Sequence, residues 1–366
     1  MADVNHTSNY SEYWIRKRYR TRLWFLLLPT IFLIYSIIVS KIRTKIRTNN
    51  VSRNFSLSYP IGTINISSDA QMIAAGERHT HAEVGIWNFQ TGLLLASIKT
   101  NHNGGVGQTA FSPNNNTLAT SDLHDGNQIF LWNTKTGGTK NRLIGDQWLI
   151  SSLFFSPDGA LLINAGHNRS ATVEIWDVSN GKLLQTLIES STGTAFAFPM
   201  LDGKTVLIIS NRGIKLRDLR NRKILRSFSL SGISARELLK VALSPEGKFL
   251  ALTTRLSQGG AETTELWSVA AGQLVHRWQE NIGNKNSNGQ SSVQALAFSP
   301  NSKFLASSSN DASIKLWDTL TGKLRGSLNI QAQSLAFSPD GETLAIATQR
   351  EVQLWKVDAL LKGTSQ

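Results

Sequence analysis

The sequence lacks cysteine and is poor in charged residues. Its 366 residues include no cysteine, and charged residues make up only 17% of the chain. The absence of cysteine excludes disulfide scaffolds, cysteine-ligated metal sites and cysteine nucleophiles. It does not indicate a redox compartment, because a chain without thiols suits reducing and oxidising surroundings equally. The motifs of zinc peptidases, α/β-hydrolases, P-loop proteins and dinucleotide-binding folds are also missing, so we predict no catalytic residue, no metal and no cofactor.

Positive charge is concentrated at the N-terminus. Lysine and arginine total 38 against 25 acidic residues, a net charge of +13. Residues 1–53 contain ten basic and two acidic residues, which leaves 28 against 23 in residues 54–366. A nearly balanced domain offers no basic surface to nucleic acid, and we expect no nucleic-acid partner.

An uncharged apolar run separates the two N-terminal basic clusters. Residues 23–40 would rise about 27 Å as a helix, against a bilayer core of about 30 Å. We predict a basic N-terminal tail over 1–22, a transmembrane helix over 23–40 and a basic juxtamembrane linker over 41–53. The expected location is therefore a membrane, crossed once. The basic flanks favour anionic lipid headgroups by about 1 kcal/mol per basic residue.

The N-terminal apolar run has two alternative interpretations. A buried helix of a soluble core would show a polar face, and this run is apolar all round. A cleaved signal peptide would need small residues at the cleavage site, where Ile38-Val39-Ser40 stands instead. Five basic residues lie on each side of the run, so the positive-inside rule leaves the side of the membrane that the rest of the chain faces undetermined.

Two short patterns recur beyond residue 54. A Ser-Pro pair and an aliphatic-Trp pair alternate at intervals of about 38 to 50 residues, and one further copy has Leu216-Arg217-Asp218 in place of Leu-Trp-Asp. The Ser-Pro pairs begin at Ser112, Ser156, Ser244, Ser299 and Ser338, and the aliphatic-Trp pairs end at Trp87, Trp132, Trp176, Trp267, Trp317 and Trp355. Recurrence at this period indicates seven copies of one supersecondary unit.

Each unit is predicted to form four short strands. Residues 293–298 alternate apolar and polar side chains, a Ser-Pro turn follows, and β-prone segments of four to six residues continue to 328. Turns rich in Asn, Asp, Gly and Pro separate these segments throughout. Seven such sheets bury their apolar faces only if they pack against one another around a ring.

With these motifs the sequence resembles the WD-repeat β-propeller family. The copies at 155–187 and 298–328 carry nearly all of its Phe-Ser-Pro-Asp-Gly, Leu-Ala-Ser, Leu-Trp-Asp and Thr-Gly pattern. The resemblance implies an all-β, seven-bladed propeller over residues 54–362, with a degenerate fourth blade. It also implies that an N-terminal strand completes the last blade, and we expect residues 54–59 to pair with 350–357.

The resemblance further implies a buried hydrogen-bond network around the repeated tryptophan. In the second blade it assigns a structural role to His102, Asp125 and Trp132, with Thr120 or Ser121 between them. The tryptophans at the same repeat position are expected to have the same structural role: Trp87, Trp176, Trp267, Trp317 and Trp355.

One face of such a propeller carries the longer loops and most of the histidines. The family topology places five histidines near one rim: His79, His81, His102, His124 and His167. The loops over 255–264 and 276–293 emerge there too. We predict a non-catalytic, membrane-anchored scaffold that docks other proteins on this rim. The alternatives are a propeller enzyme or small-ligand sensor using the rim histidines, including a metal site at His79-x-His81, and an assembly factor for a membrane complex.

Overall fold

A computed structural model describes most of the chain beyond residue 50. The described residues are 51–80, 82–124, 127–229, 236–256, 262–279 and 293–362. The predicted tail, transmembrane helix and most of the juxtamembrane linker lie outside them. Within these ranges no helix has the length and apolar character needed to cross a membrane.

The described residues form seven four-stranded sheets, which confirms the predicted seven-bladed, all-β architecture. In blades one to six, four consecutive strands run from the centre of the ring outward. Blades one to three comprise β2 (Ile61–Ile66), β3 (Met72–Glu77), β4 (Glu83–Asn88), β5 (Leu94–Lys99), β6 (Val106–Phe111), β7 (Thr117–Asp122), β8 (Gln128–Asn133), β9 (Thr139–Ile144), β10 (Leu149–Phe155), β11 (Leu161–Asn168), β12 (Ser170–Asp177) and β13 (Leu183–Ser190).

Blades four to seven continue the same order, and the first strand of the chain joins the last blade. They comprise β14 (Phe196–Pro199), β15 (Thr205–Ser210), β16 (Gly213–Asp218), β17 (Ile224–Phe228), β18 (Arg236–Leu243), β19 (Phe249–Leu256), β20 (Thr263–Ser268), β21 (Gln273–Gln279), β22 (Val293–Phe298), β23 (Phe304–Ser309), β24 (Ile314–Asp318), β25 (Leu324–Leu328), β26 (Ser334–Phe337), β27 (Thr343–Ala347), β28 (Glu351–Lys356) and β1 (Val51–Ser56).

The Ser-Pro turns are closed by a repeated set of side-chain hydrogen bonds. Ser156 Oγ donates to Asp158 Oδ1 at 2.5 Å and accepts the Leu161 N–H at 2.9 Å. The bonds from Ser156 and from the Ala160 N–H hold the pKa of Asp158 below its ordinary value. Ser67, which is not followed by proline, makes the same turn with Asp69 at 2.6 Å. The serine and the acceptor two residues later therefore define the turn, and the proline is dispensable.

The Asp that follows the repeated tryptophan closes the next turn. Asp318 Oδ1 accepts the N–H groups of Leu320 and Thr321 at 3.1 and 2.8 Å, in an Asx turn. These bonds lower the pKa of Asp318. Asp218 in blade four accepts the Arg220 and Asn221 N–H groups in the same way. Blade four thus keeps its outer hairpin although its tryptophan is missing.

The apolar core lies between neighbouring blades. One cluster joins Leu131 and Leu143 of blade two to Leu162 and Trp176 of blade three, all at most 2% exposed. Other clusters join blades one and two, three and four, four and five, and seven and one. Each sheet consequently depends on two neighbours for burial of its faces.

The ring is closed by pairing of β1 with β28. The closing strand spans residues 51–56, three residues earlier than the predicted 54–59, and the Leu57 N–H continues the contact to the Arg350 carbonyl at 3.1 Å. Phe55 is 3% exposed, and its ring lies 5.5 Å from that of Trp87 in blade one. The propeller therefore begins inside the segment assigned to the linker.

A short helix, absent from the repeat pattern of the sequence, follows the last strand. The helix α1 (Val357–Lys362) buries Val357 and Leu360. It contacts β25 of blade six at Gly326, where an added Cβ would collide with the Leu360 carbonyl. The C-terminal residues thus cover the blade next to the closure instead of forming another strand.

Blade four replaces its tryptophan by a buried ion-pair cluster. Arg217 Nε lies 2.8 Å from Glu189 Oε1, and Lys215 Nζ lies 2.6 Å from Glu189 Oε2. Glu189 is 2% exposed and comes from the outer strand of blade three. A tryptophan at 217 would leave this carboxylate with one cation in place of two. Arg217 therefore forms an ion pair between blades three and four, and the loss of the tryptophan from the repeat is compensated there.

The closure generates a stability prediction for Phe55. The Phe55→Ala substitution leaves a cavity between blades seven and one, and we expect it to lower the free energy of unfolding by about 3–5 kcal/mol. Leu93→Ala is the matched control in blade one, because Leu93 is 67% exposed. Chemical denaturation of both variants measures the difference, and equal stabilities would contradict the closure described here. Deleting residues 1–50 preserves β1, so this truncation should fold, whereas deleting residues 1–60 should not.

Candidate docking face and central channel

The strand directions place two kinds of connection on opposite faces of the ring. Adjacent strands of blades one to six are antiparallel, so the loop before each inner strand and the loop after each second strand share one face. We call this the loop face. The opposite face, which we call the turn face, carries the Ser-Pro turns and the Asx turns.

The loop face exposes aromatic side chains. Trp148 immediately precedes β10, and its side chain is 58% exposed. Its backbone N–H donates to the His167 carbonyl at 3.1 Å. Tyr59 precedes β2, is 45% exposed, and stacks on His79 with ring centroids 4.1 Å apart. Tryptophan and tyrosine are the residue types that most often carry the binding energy of protein interfaces.

The five predicted rim histidines do not converge. His79 and His124 are exposed, His167 lines the central channel, and His102 is 1% exposed inside blade two. His81 lies outside the described residues, so the proposed His79-x-His81 pair has no structural description. Within the described residues, no three His, Cys, Asp or Glu side chains are grouped so that they could hold a metal ion.

The structure brings three of the predicted blade-two residues together. His102 Nε2 lies 2.8 Å from Thr120 Oγ1, and Trp132 Nε1 donates to the same oxygen at 2.9 Å. The ring of Phe130 meets the His102 ring edge-on at 5.3 Å. Ser121, the alternative to Thr120, accepts the Gln108 N–H instead. The arrangement is a buried polar link between the loop face and the tryptophan.

The acidic residue that the structure places against His102 is Asp122. Its Oδ2 lies 3.6 Å from His102 Nδ1 and accepts the Asn103 N–H at 2.8 Å. Its Oδ1 accepts the His124 N–H at 3.0 Å. The predicted Asp125 lies outside the described residues. Asp122 was identifiable from strand periodicity, because residues 120 and 122 point to the same side of β7.

Four further blades satisfy the tryptophan indole with other acceptors. Among the described residues, the partners are Asn164 Oδ1 for Trp176 at 2.7 Å, Glu265 Oε2 for Trp267 at 3.0 Å, Ser307 Oγ for Trp317 at 3.0 Å and Gln353 Oε1 for Trp355 at 3.1 Å. Trp87 of blade one has its ring next to Gly85, where any side chain would collide with it. Blades one to three and five to seven keep the tryptophan, and the atoms that contact its indole vary.

Blade three extends its network to the loop face through a buried glutamate. Asn164 Nδ2 donates to Glu174 Oε2 at 3.0 Å, and Glu174 Oε1 accepts the Asp146 N–H at 2.9 Å. Glu77 plays the same part in blade one, where it accepts the Tyr59 and Glu83 N–H groups at 2.9 Å. Buried carboxylates thus fix loop backbones in blades where the histidine is absent.

The networks generate a prediction that separates two acceptors. Thr120→Val removes the one oxygen that serves both His102 and Trp132, and we expect a loss of about 2–3 kcal/mol of stability. Ser307→Ala in blade six removes the acceptor of Trp317 alone, and about 1 kcal/mol should be lost. Thermal and chemical denaturation of the two variants provide the comparison. A smaller loss for Thr120→Val than for Ser307→Ala would contradict the shared role of Thr120.

A central channel runs along the inner strands. Its volume is about 450 Å³, and residues from every inner strand line it. Five of these strands carry a bulge near their start, seen as a shift in register against the second strand. The residues at the shifts all line the channel: Gly62, Gly107, Ser151, Leu239 and Gln294.

The channel is more basic than acidic. The ionisable side chains in its lining are Arg78, His167, Glu237 and Lys240. Glu237 is paired with Arg255, whose NH2 lies 2.7 Å from its Oε2. Burial, together with the positive charge of Arg78, lowers the pKa of Lys240. Among the described lining residues Lys240 therefore has no carboxylate partner, because the one carboxylate of the lining, that of Glu237, is paired with Arg255.

Comparison with known proteins supports the repeat assignment. Residues 94–133 and 283–318 match the model of the WD domain, G-beta repeat. The first match begins at β5, the outer strand of blade one, and ends with β8 of blade two. The sequence repeat is therefore offset from the blade by one strand, as the closing strand β1 requires.

The chain is similar in sequence to several known proteins and in fold to a solved propeller. The chain is 25% identical to "Periodic tryptophan protein 2" of Arabidopsis thaliana over 62% of this chain and 24% of that protein. It is 26% identical to "Transducin beta-like protein 2" of Homo sapiens over 73% of this chain and 63% of that protein. It thus spans less than two thirds of either relative. The crystal structure of the Myceliophteria thermophila Cps50 (Swd1) β-propeller domain matches with a TM-score of 0.68 and 14% identity, covering 84% of this chain and 99% of that domain.

Proposed function

The chain carries WD repeats folded as a seven-bladed β-propeller within its described residues, and from this premise we propose that it is a non-catalytic scaffold that docks partner proteins on its loop face. WD-repeat propellers generally bind other proteins, and the relatives named above are not named as enzymes. The observation that carries the choice of face is the exposed Trp148 together with the stacked Tyr59 and His79.

The rigidity of this face supports docking. Its loops are held by buried acceptors such as Glu77, Asp122 and Glu174, each bonded to loop N–H groups. A preorganised surface loses little conformational entropy on binding, so more of the contact energy appears as affinity. The predicted docking loops at 255–264 and 276–293 fall largely outside the described residues and remain part of the proposal on sequence grounds.

The scattered histidines favour a scaffold over a propeller enzyme. Catalysis needs nucleophile, base and stabilising groups within hydrogen-bond reach of one substrate position. His102 is enclosed by Thr120, Asp122 and Phe130, whereas His79 lies on the surface against Tyr59. The geometry therefore gives these histidines separate structural and surface roles.

The docking proposal predicts that partners are lost when the exposed aromatics are removed. In pull-downs with the full chain from solubilised host membranes, Trp148→Ala should weaken recovery of specific partners by about thirtyfold, as for a hot-spot aromatic. Leu320→Ala is the matched control, because Leu320 is 83% exposed on the turn face. Unchanged melting temperatures verify folding of both variants. Equal recovery with Trp148→Ala and the parent, or selective loss with Leu320→Ala, would contradict docking on the loop face.

We propose further that residues 23–40 anchor the scaffold in a membrane. The support is the uncharged 18-residue run between basic clusters, whose cations suit anionic lipid headgroups. An anchored scaffold would bind its partners at the membrane. This arrangement is compatible with an assembly factor for a membrane complex.

The anchor predicts a defined response to charge in the middle of the run. The double substitution Leu28→Lys and Ile34→Lys adds about 5–7 kcal/mol to the cost of insertion on the translocon scale. We expect the parent chain to stay in the membrane pellet after alkaline carbonate extraction and the double variant to be released. Thr44→Lys adds a charge outside the run and should stay in the pellet. Release of the parent chain would contradict the anchor.

A further inference from the structure

Arg78 lines the central channel, and the neighbouring backbone at Pro60 and Gly62 determines its position there. It directly follows β3, and its N–H donates to the Pro60 carbonyl at 2.7 Å. Its side chain passes over Gly62, where an added Cβ would overlap the Arg78 Cγ. NH1 donates to Gln333 Oε1 at 3.2 Å, which uses one of the five guanidinium N–H donors. Glycine at 62 is therefore what allows the guanidinium to lie against the inner strands.

Lys240 lines the same channel from β18, the inner strand of blade five. It follows the bulge at Leu239 in β18 and lines the channel together with Arg78. Within the described residues, no hydrogen bond or ion pair of its amine is observed. The nearest carboxylate along the strand, that of Glu237, is engaged by Arg255. The remaining neighbours in the lining include neutral polar side chains such as Gln108 and Ser151.

Two cations in one channel are electrostatically unfavourable when no anion accompanies them. Burial and, to a smaller extent, the positive charge of Arg78 lower the pKa of Lys240. Arg78 is exposed to the channel and Lys240 is half-buried beside it, so both cations can reach a ligand in the channel. A ligand of opposite charge would supply the counter-charge that Lys240 lacks among the described residues. An oxyanion between the two side chains would form charge-assisted hydrogen bonds with both.

We propose that the central channel is a binding site for a compact oxyanion of the phosphate class, held by Arg78 and Lys240. A channel of about 450 Å³ accommodates a diphosphate-sized group. Arginine binds phosphate oxygens through its planar fork, and lysine binds them as a point charge. The proposal does not depend on the docking function, since the site uses none of the exposed aromatics. The phosphate group comes either from a free small molecule or from a phosphorylated side chain presented at the channel mouth.

Calorimetric titration of the full-length chain with inorganic pyrophosphate tests the site. We expect saturable one-to-one binding that weakens as sodium chloride is raised. Lys240→Met and Arg78→Met should each reduce the affinity at least tenfold, whereas Lys240→Arg should retain most of it. Gly62→Ala should also weaken binding without changing any charge, because it displaces the Arg78 side chain. The matched control is Lys182→Met, which removes an exposed cation on the turn face and should leave the affinity unchanged.

A parallel titration with a short phosphoserine peptide distinguishes the two sources. Binding of pyrophosphate alone identifies a free ligand, and binding of the peptide alone identifies a phosphorylated partner, provided that Lys240→Met abolishes it. The proposal is overturned if neither probe binds the parent chain. It is also overturned if Lys182→Met weakens binding as much as Lys240→Met, since the affinity would then reflect net charge only. Because the docking variant Trp148→Ala should bind pyrophosphate normally, failure of one proposal does not decide the other.

Discussion

The pairing of β1 with β28 is the constraint on which the propeller depends. Every blade buries its faces against two neighbours, so an incomplete last blade would expose an apolar surface and an unpaired strand edge. Phe55 belongs to a cluster that contains Trp87 of blade one and Leu354 of blade seven, and it therefore joins the two ends of the ring. The sequence repeat shows the same offset by one strand, since its first match starts at β5, the outer strand of blade one, and continues into blade two. At the closure, β1 is the outer strand of blade seven and leads directly into the inner strand of blade one. Every other pair of neighbouring blades is linked in the same way, from outer strand to inner strand.

Within this ring, the repeated tryptophan imposes a second requirement, which the blades meet in different ways. A buried indole N–H needs an acceptor. Thr120, Asn164 and Glu265 supply it in three blades, although they are chemically unlike one another. In blade four the aromatic itself is replaced, and Glu189 holds Arg217 and Lys215 across the blade boundary. Blade four has therefore lost the tryptophan of the repeat motif, but its charged side chains are paired with Glu189.

These buried groups also shape the surface and the channel. The carboxylates of Glu77 and Asp122 accept hydrogen bonds from loop N–H groups. These bonds fix the loop face, on which Trp148 and Tyr59 are exposed. In the described part of the channel the carboxylate of Glu237 is paired with Arg255, so Arg78 and Lys240 concentrate positive charge at the centre. A rigid ring with aromatic groups on its loop face and cations within suits a scaffold whose binding surfaces are separate.

The sequence by itself determined the number of blades, the turns and the position of each tryptophan. These features follow from local chemistry: a serine that closes its own turn, an alternation of period two, and an Asx residue after the tryptophan. Tertiary structure decided that β1 starts at Val51, that Asp122 faces His102, and that Arg217 is paired with Glu189. It also decided that Arg78 and Lys240 share a channel, although 162 residues separate them. Register, ion pairs and channel lining depend on which blades become neighbours when the ring closes, and a repeat pattern read along the chain does not specify those distances.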